Sequence, residues 1–235
     1  GAGKYNEICN DSIISNSSFI NNSASYGGGI RNYISSSYIA NCFFSENTAL
    51  HGGGMQNYSA DFDDEENPQY NQPAPYVTDC FFENNYAEYG GGIRNYQSSA
   101  IIESCYFTEN QADNGGGLNN EFSLTPIVIA STFENNSAEY YGGALHNYAS
   151  SVLIANSIFS DNSAEYGGAM SCTGDSESIT VNSVFSGNIA ESEGGAVSVN
   201  SSISEFINCT IVGNSALYYE EGGGIDNTSG QTTVT

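Results

Sequence analysis

The chain has very few basic residues. Its 235 residues include three Lys and Arg against 27 Asp and Glu, which gives a formal net charge of −24. Nucleic acids are bound by clustered basic side chains, and Lys4, Arg31 and Arg94 are too few to form such a cluster. An anionic membrane surface would repel the chain as well. The sequence therefore excludes nucleic acid as a partner.

Long apolar runs are also missing. No stretch of about 18 consecutive apolar residues is present, so no membrane insertion by this segment is expected. Hydrophobic residues make up 39% of the chain and aromatic residues 12%, which is too apolar for a disordered acidic tail. The first residues, Gly1 to Tyr5, have neither an initiator Met nor the pattern of a signal peptide, so we expect a processed or excised segment.

An internal repeat organises the sequence. Each copy begins with Phe, or with Ile in the last copy, and continues with Asn three residues later, Ala two residues after that, and then a pair of glycines. The spacings between copies are 25, 38, 25, 26, 26, 26 and 26 residues. The long spacing contains the polar stretch Ser59 to Pro75, which we interpret as a loop inserted into one repeat at about residues 59–75. The copies begin at Phe19, Phe44, Phe82, Phe107, Phe133, Phe159, Phe185 and Ile211.

The repeat predicts one turn of a β-solenoid, because it is rich in β-branched and aromatic residues and lacks helical periodicity. Three short strands are expected in each coil of about 25–26 residues. Strands of successive coils should stack in parallel sheets about 4.8 Å apart. Since parallel strands are joined by right-handed crossovers, we predict an all-β, right-handed parallel β-helix. It forms a single domain over residues 1–235, with eight full repeats and partial coils at both ends.

Columns of like side chains should fill the interior of this solenoid. The Phe that begins each repeat, the aliphatic residue five positions earlier and the residue after the glycines are predicted to point inward. Asn and Gly are expected at the corners because both tolerate the left-handed backbone region. An amide ladder, in which each side chain bonds to the next coil, is predicted for Asn32, Asn57, Asn95, Asn120 and Asn147.

The motif Phe-x-x-Asn with Gly-Gly-Ala-[Ile, Leu or Val] is similar to the repeats of the chlamydial polymorphic outer membrane protein family. The resemblance covers most of the chain. The copies that carry it best are Phe133-Glu-Asn-Asn-Ser-Ala-Glu-Tyr-Tyr-Gly-Gly-Ala-Leu and Phe159-Ser-Asp-Asn-Ser-Ala-Glu-Tyr-Gly-Gly-Ala-Met. The resemblance implies a right-handed β-helix that is displayed on a surface or secreted and is often adhesive.

A carbohydrate-active enzyme is the alternative interpretation, because right-handed β-helices include polysaccharide lyases and hydrolases. Polyuronate cleavage requires basic groups that stabilise the developing anion. A chain with a net charge of −24 repels such a substrate. Carboxylate pairs for neutral glycans can be drawn from almost any two acidic residues, so they carry little information. We expect no catalytic residues; the candidate sheet face offers Arg31, Gln56, Arg94, Asn119 and His146.

Five acidic residues recur six positions after the start of consecutive repeats. Stacking would bring these like charges to about 5 Å, which destabilises the fold unless they extend into water or bind cations. Calcium prefers oxygen ligands at flexible surface sites, so a solvated acidic face and a calcium site are both open. No other cofactor is expected. The candidate calcium ligands are Glu88, Asp113, Glu139, Glu165 and Glu191 in the column and Asp61, Asp63 and Asp64 in the insertion.

The Cys residues follow the repeat register rather than a disulfide framework. Four of the six lie two positions before the start of a repeat, where other copies have Ser. A small inward position accepts either residue, so buried free thiols are predicted, although neighbouring coils are close enough for a bridge. These four are Cys42, Cys80, Cys105 and Cys209, and Cys172 lies in the Asn column.

Histidine is scarce and tyrosine is abundant. His51 and His146 lie in different columns without a second ligand at zinc spacing, so both are expected to be ordinary surface residues. Nine of the 17 Tyr residues form two columns that suit contact with sugars or proteins, or that only cover corners. The first column comprises Tyr26, Tyr89, Tyr140, Tyr166 and Tyr218, and the second Tyr33, Tyr58, Tyr96 and Tyr148.

These features favour a non-enzymatic, extracellular or cell-surface β-helix with a structural or adhesive role. The expected partners are further copies of the chain, joined end to end into a filament, or other surface proteins and glycans. The repeats could equally form part of a longer surface protein. Both ends are expected to be incomplete coils, since Lys4 takes an aliphatic position at one end and Gly222 to Asn227 begins a ninth turn at the other.

Overall fold

The structure is a computed structural model that describes residues 4–7, 12–59, 73–217 and 222–235. These residues form a right-handed parallel β-helix without any α-helix, so the predicted fold class is confirmed. The described part of the chain accordingly contains no helix that is long and apolar enough to cross a membrane.

Each coil passes through four sheets, here called A, B, C and D in the order in which the chain visits them. Within the described residues, sheets A and B have nine strands each, sheet C has eight and sheet D has six. The sequence predicted three strands per coil. The additional strand comes from the segment before the glycines, such as Tyr86–Tyr89, which the prediction treated as a corner. In the first coils this segment makes isolated parallel bridges instead, for example between Tyr26 and His51.

The strands are short, and each sheet collects one strand from every coil. Sheet A contains β1 (Lys4–Glu7), β4 (Ile30–Tyr33), β7 (Met55–Tyr58), β11 (Ile93–Tyr96), β15 (Leu118–Glu121), β19 (Leu145–Tyr148), β23 (Met170–Thr173), β27 (Val197–Val199) and β31 (Ile225–Asn227). Sheet B contains β2 (Ile13–Ser15), β5 (Tyr38–Ala40), β8 (Tyr76–Thr78), β12 (Ile101–Glu103), β16 (Ile127–Ile129), β20 (Ser151–Ala155), β24 (Glu177–Val181), β28 (Ile203–Ile207) and β32 (Gln231–Val234). Sheet C contains β3 (Ser18–Ile20), β6 (Phe43–Ser45), β9 (Phe81–Glu83), β13 (Tyr106–Thr108), β17 (Thr132–Glu134), β21 (Ile158–Ser160), β25 (Val184–Ser186) and β29 (Thr210–Val212). Sheet D contains β10 (Tyr86–Tyr89), β14 (Gln111–Asn114), β18 (Ser137–Tyr141), β22 (Ser163–Tyr166), β26 (Ile189–Glu193) and β30 (Ser215–Ala216).

The core consists of the predicted inward columns. The Phe rings of sheet C stack face to face from Phe19 to Phe185, with centroids 4.5–5.0 Å apart and interplanar angles of 10° or less. Phe44 and the later rings of this column are fully buried, as are the aliphatic residues Ile39 and Ile102 of sheet B. Full burial of each such side chain stabilises the fold by about 1.5–3 kcal/mol, so the core grows in proportion to the number of coils.

Two asparagine ladders connect the coils. In the ladder of sheet A, Nδ2 of Asn32 donates to Oδ1 of Asn57 at 2.8 Å, and the same bond recurs up to Asn147, which ends the ladder by donating to the Cys172 sulfur. The second ladder lies at the corner after sheet C and runs from Asn22 to Asn214. Each of its amide oxygens accepts both the backbone N–H and the side-chain amide of the Asn one coil earlier. The predicted amide ladder is therefore confirmed.

The thiols occupy the predicted small inward positions. Cys42, Cys80, Cys105 and Cys172 are buried and free, and Cys209 is partly exposed. The Cys80 sulfur donates to the carbonyl oxygen two residues earlier at 3.2 Å, as the Ser131 hydroxyl does in its own coil at 2.9 Å. The neighbouring thiol of Cys105 and burial raise the pKa of Cys80 to about 12, so this thiol stays protonated.

The insertion and the ends keep the register of the stack. Most of the inserted segment, residues 60–72, lies outside the described residues, but Tyr58 and Tyr76 on either side pair in register with Tyr96 and Ile101. Lys4 pairs with Ile30, so it takes the expected aliphatic position. At the other end, β31 and β32 continue sheets A and B into a further turn.

Candidate functional site

The outer face of sheet A forms a groove between two rows of side chains. Its floor consists of the outward residues of sheet A, and these are largely buried: Gln56 and Asn119 are 0% exposed, and Arg94 and His146 are 7% exposed. The floor comprises Arg31, Gln56, Arg94, Asn119, His146, Ser171 and Ser198. The first wall precedes the glycines and comprises Tyr26, His51, Tyr89, Asn114, Tyr141 and Tyr166. The second wall ends the strands of sheet A and comprises Tyr33, Tyr58, Tyr96, Glu121, Tyr148 and Thr173.

The predicted tyrosine columns form these walls. Tyr33, Tyr58 and Tyr96 stack in the second wall with ring centroids 5.6 and 5.2 Å apart. In the first wall, the His51 ring lies between Tyr26 and Tyr89 at 5.3 and 5.4 Å. Burial and the nearby Arg94 guanidinium lower the pKa of His51. His51 is therefore a half-buried member of the wall, and its assignment as an ordinary surface residue was wrong.

One member of the first column was misplaced. The structure pairs Tyr141, not Tyr140, with Asn114 and Tyr166, and the Tyr141 ring stacks on that of Tyr166 at 5.3 Å. The reason is a register shift in β18, which has one more residue between its Ala and the glycines than β14 and β22 have. Such a β-bulge moves the following side chain by one position. Tyr218 lies outside the described residues.

Arginine side chains close the groove in the earlier coils. The Arg31 guanidinium carbon lies 4.7 Å from the ring centroid of Tyr26 in one wall and 5.4 Å from that of Tyr33 in the other. Arg94 spans the walls in the same way, 5.2 Å from Tyr89 and 4.9 Å from Tyr96. Cation–π contacts of this kind hold each arginine across the groove. The arginines therefore fill the groove in these coils.

Both walls are interrupted in the coil that follows Arg94. Asn114 takes the position between Tyr89 and Tyr141 in the first wall, and Glu121 takes the position between Tyr96 and Tyr148 in the second. A cavity of about 550 Å³ opens at this double gap. The rings of Phe122 and Tyr148 line it and meet edge to face, with centroids 5.3 Å apart. Nearby, Gly174 leaves room for Tyr148, since a Cβ there would lie 2.7 Å from the ring.

A chain of hydrogen bonds runs along the floor beneath this cavity. Arg94 pairs with Glu121 through Nη2 at 2.6 Å and Nε at 3.2 Å, and Nδ2 of Asn119 also donates to Glu121. The Asn119 amide oxygen lies 3.0 Å from Nδ1 of His146, and Nε2 of His146 lies 3.0 Å from the Thr173 hydroxyl. The network therefore links four successive strands of sheet A.

The protonation state of His146 follows from this network. Burial lowers the pKa of His146 to about 3, so the ring is neutral at physiological pH. The Asn119 oxygen can only accept, so Nδ1 carries the proton, and the Thr173 hydroxyl donates to Nε2. The ring of Tyr141 covers that of His146, with centroids 5.3 Å apart. The expectation that His146 is an ordinary surface residue was wrong, because the walls bury the outward face of sheet A.

The acidic column lies on sheet D, outside the groove. The register of β10, β14 and β18 pairs Ala87 with Ala112 and Ala112 with Ala138, so the next residues, Glu88, Asp113 and Glu139, are neighbours. Burial and the charges of Glu139 and Glu88 raise the pKa of Asp113. In the described part of the chain, no three or more His, Cys, Asp or Glu side chains are placed to hold one metal ion. Asp61, Asp63 and Asp64 lie outside the described residues. Calcium binding by the column of Glu88, Asp113, Glu139, Glu165 and Glu191 stays a prediction.

Sequence reasoning identified five of the seven floor residues and most of the walls, but it missed Ser171, Ser198 and the cavity. The signal was present, since one repeat has Asn114 and Glu121 at the two positions where most other copies have aromatic residues. The recess of the floor was not predictable from alternation alone, because an outward residue on a sheet is normally exposed.

Comparison with known proteins identifies the repeat. Two segments match the Chlamydia polymorphic membrane protein repeat. They are residues 130–148 and 182–200, and each runs from a corner before sheet C through sheet D to the end of a strand in sheet A. The resemblance drawn from the motif is confirmed, and each matched segment includes a corner Asn, the glycine pair and part of the groove. No curated protein and no solved structure matches the chain significantly.

Proposed function

We propose that the chain is a non-enzymatic β-helix displayed at a cell surface, where it has an adhesive or structural role. The match to a membrane-protein repeat supports display at a surface. The observation that carries an adhesive role is the groove, a recess with aromatic walls and a hydrogen-bonded polar floor that crosses successive coils of sheet A.

The chemistry of the groove favours binding over cleavage. A glycosidase requires two carboxyl groups on either side of the scissile bond. Among the described residues that line the cavity, Glu121 is the only carboxylate, and Arg94 neutralises it. His146 is neutral and has both ring nitrogens in hydrogen bonds, so it is not poised to act as a general base.

We further propose that copies of the chain associate end to end, or that the chain is part of a longer surface protein. At one end of the described stack, β31 and β32 pair with a strand on one side only. Such edge strands accept further parallel strands, and contact between unlike ends gives an open filament rather than a closed ring.

Surface labelling tests the proposal. Intact source cells are treated with a membrane-impermeant biotin reagent, and the chain is then captured and compared with a cytoplasmic control protein. We expect labelling of the chain, but not of the control, in intact cells. Beads coated with the chain should also attach to cultured cells more than beads coated with an acidic control protein do. Labelling that requires lysis would contradict surface display.

A further inference from the structure

The cavity at the double gap in the walls has the chemistry of a sugar site. Building on the proposed surface role, we propose that this cavity binds a neutral saccharide segment. Its ligand is one or a few uncharged sugar residues of a glycan chain, seated in the cavity.

The shape and lining of the cavity suit a sugar ring. Its volume of about 550 Å³ lies within the range of about 300–1,000 Å³ that is usual for small-molecule sites. Phe122 and Tyr148 are 41% and 42% exposed, so their rings are open to a ligand while they remain packed against each other. Aromatic rings offer flat apolar surfaces against which the C–H groups of a sugar can pack. The two rings can therefore contact the apolar face of a sugar ring.

The polar groups of the cavity match the hydroxyl groups of a sugar. A hydroxyl donates one hydrogen bond and accepts others, so its site needs both donors and acceptors. The Thr173 hydroxyl directs its proton to His146 and keeps lone pairs that can accept from a ligand. The Asn114 amide supplies a donor and an acceptor, and the Glu121 carboxylate has further acceptor positions beyond its bonds to Arg94 and Asn119.

The charge of the site favours an uncharged ligand. The chain as a whole carries −24, which repels polyanionic glycans. Of the residues that line the cavity, Glu121 is balanced by the Arg94 guanidinium of the groove floor at 2.6 Å, and His146 is neutral. The acidic column that would attract a cationic ligand lies on sheet D instead.

A peptide strand fits the site less well. Peptides bind sheets by pairing with an open edge, but β15 already pairs with β11 and β19, and its neighbours are paired in the same way. Each residue of a peptide also brings a backbone N–H and C=O that need partners. The cavity offers a few side-chain groups instead, which suits hydroxyls spaced around a ring.

The most informative variant places a tyrosine in the gap of the first wall, where the neighbouring coils on both sides have tyrosine. Asn114→Tyr continues the column from Tyr89 to Tyr141, so it should preserve the fold while it occupies the cavity. Tyr148→Ala removes one ring that would contact the sugar. Tyr38→Ala is the matched control, since Tyr38 is 45% exposed and stacks on Tyr76 in sheet B, away from the groove.

The probes are an array of immobilised neutral oligosaccharides built from glucose, galactose, mannose or N-acetylglucosamine, with heparin and oligolysine as charged comparisons. We expect the wild-type chain to bind at least one neutral oligosaccharide more tightly than heparin. Oligolysine should bind to the acidic column of sheet D, equally in Asn114→Tyr and wild type. Asn114→Tyr and Tyr148→Ala should each weaken binding of the neutral oligosaccharide about tenfold or more, equivalent to about 1.4 kcal/mol. Tyr38→Ala should leave it unchanged. Melting curves establish that the variants are folded.

Several outcomes would overturn the sugar site: no neutral oligosaccharide bound by the wild-type chain, preferential binding of heparin, oligolysine binding that Asn114→Tyr abolishes, or equal binding of the neutral oligosaccharide by Asn114→Tyr and wild type. If Asn114→Tyr does not fold, unchanged binding by folded Tyr148→Ala has the same meaning. Failure of this proposal leaves surface display intact, because impermeant labelling does not depend on the cavity. If beads coated with the Asn114→Tyr variant still attach to cells, adhesion takes place through another surface of the chain.

Discussion

Asparagine at the corner after sheet C links each coil to both of its neighbours. The fully buried Asn136 accepts from the Asn110 backbone N–H at 3.1 Å and donates to the Phe107 carbonyl oxygen at 2.9 Å. Asn136→Ala leaves these groups without their partner, so we expect a loss of about 1–3 kcal/mol in the free energy of unfolding. At about 2–4 °C per kcal/mol, thermal melts would detect this loss.

The control for Asn136 is its neighbour Ser137. Ser137 lies at the same corner and joins the previous coil only through its backbone N–H, which Ser137→Ala keeps, so this variant should change the melting temperature much less. Equal melting temperatures for the two variants would show that the ladder is not what stabilises the corner.

His146 should make the fold sensitive to acid. Burial lowers its pKa to about 3 in the folded chain, whereas a histidine in an unfolded chain titrates near 6.5. Between these values only the unfolded state takes up the proton. The contribution of His146 is therefore fully present above about pH 6.5 and decreases by about 1.4 kcal/mol per pH unit as the pH falls toward 3.

The His146→Asn variant isolates this effect, because the equivalent position one coil earlier is already Asn119. We expect His146→Asn to be less stable than wild type at pH 7.5, since it loses the contact with Tyr141, and to approach wild type as the pH falls to 4.5. Denaturant titrations at several pH values give the difference. A constant difference would mean that His146 is not buried in its neutral form.

At the level of the structural element, the insertion should be dispensable. Deletion of residues 60–72 leaves four residues between Tyr58 and Tyr76, the number found between the aligned residues Tyr96 and Ile101 in the next coil. The deletion keeps the Pro73 carbonyl oxygen, which accepts from Ser99, so the neighbouring corner stays satisfied. We expect a folded chain with a melting temperature within a few degrees of wild type. Loss of the β-sheet circular dichroism signal would show that the insertion supports the coil.

The acidic column on sheet D should cost stability near neutral pH. Burial and the adjacent carboxylates raise the pKa of Asp113, so the folded chain binds a proton more readily than the unfolded chain, and both penalties are relieved as the pH falls. Like charges directly opposite each other on adjacent strands destabilise a sheet. Asp113→Asn should therefore be slightly more stable than wild type at pH 7, and the difference should shrink toward pH 4.

Calcium gives this column a second test. The control for Asp113→Asn is Glu177→Gln, which removes an exposed carboxylate of sheet B and should have little effect on the melting temperature, with or without calcium. If calcium raises the melting temperature of wild type but not of Asp113→Asn, the column binds cations. If neither calcium nor a chelator changes the melting temperature, the carboxylates of the column are solvated and bind no calcium.

At the level of the whole molecule, the sequence was sufficient for the parallel β-helix and its inward columns, but not for sheet D, because every coil repeats the same local signals while the segment before the glycines reads as a corner. The Phe column, the amide ladder and the thiol positions each follow from residues that recur in register. The corners were less predictable, since Ala130 has the same left-handed backbone as Asn41, at φ of 49° and 51°. Stacking on neighbouring coils imposes that conformation even where the residue does not favour it.

The groove could not be predicted from the residue type at single positions. Alternation along β19 places His146 outward, yet Tyr141, Asn119 and Thr173 from other strands bury it. The bulge in β18 moved the tyrosine of the first wall by one residue, an outcome that depends on how an extra residue is accommodated. A cavity forms where the residue type changes in several columns of the same coil, so it can be recognised only once the coils are stacked.

End-to-end association of the molecule should depend on salt, because two opposing contributions act over its whole length. The edge strands β31 and β32 offer unpaired backbone groups to a further coil, whereas a net charge of −24 opposes the approach of a second copy. Screening shortens this repulsion from about 30 Å at 0.01 M salt to about 8 Å at 0.15 M. We therefore expect light scattering to report monomers at low salt and low protein concentration, and larger species as salt, calcium or protein concentration rises. Negative-stain microscopy of the same samples should then show unbranched filaments as wide as one β-helix. A monodisperse monomer under all of these conditions would exclude the filament and leave a role within a longer surface protein.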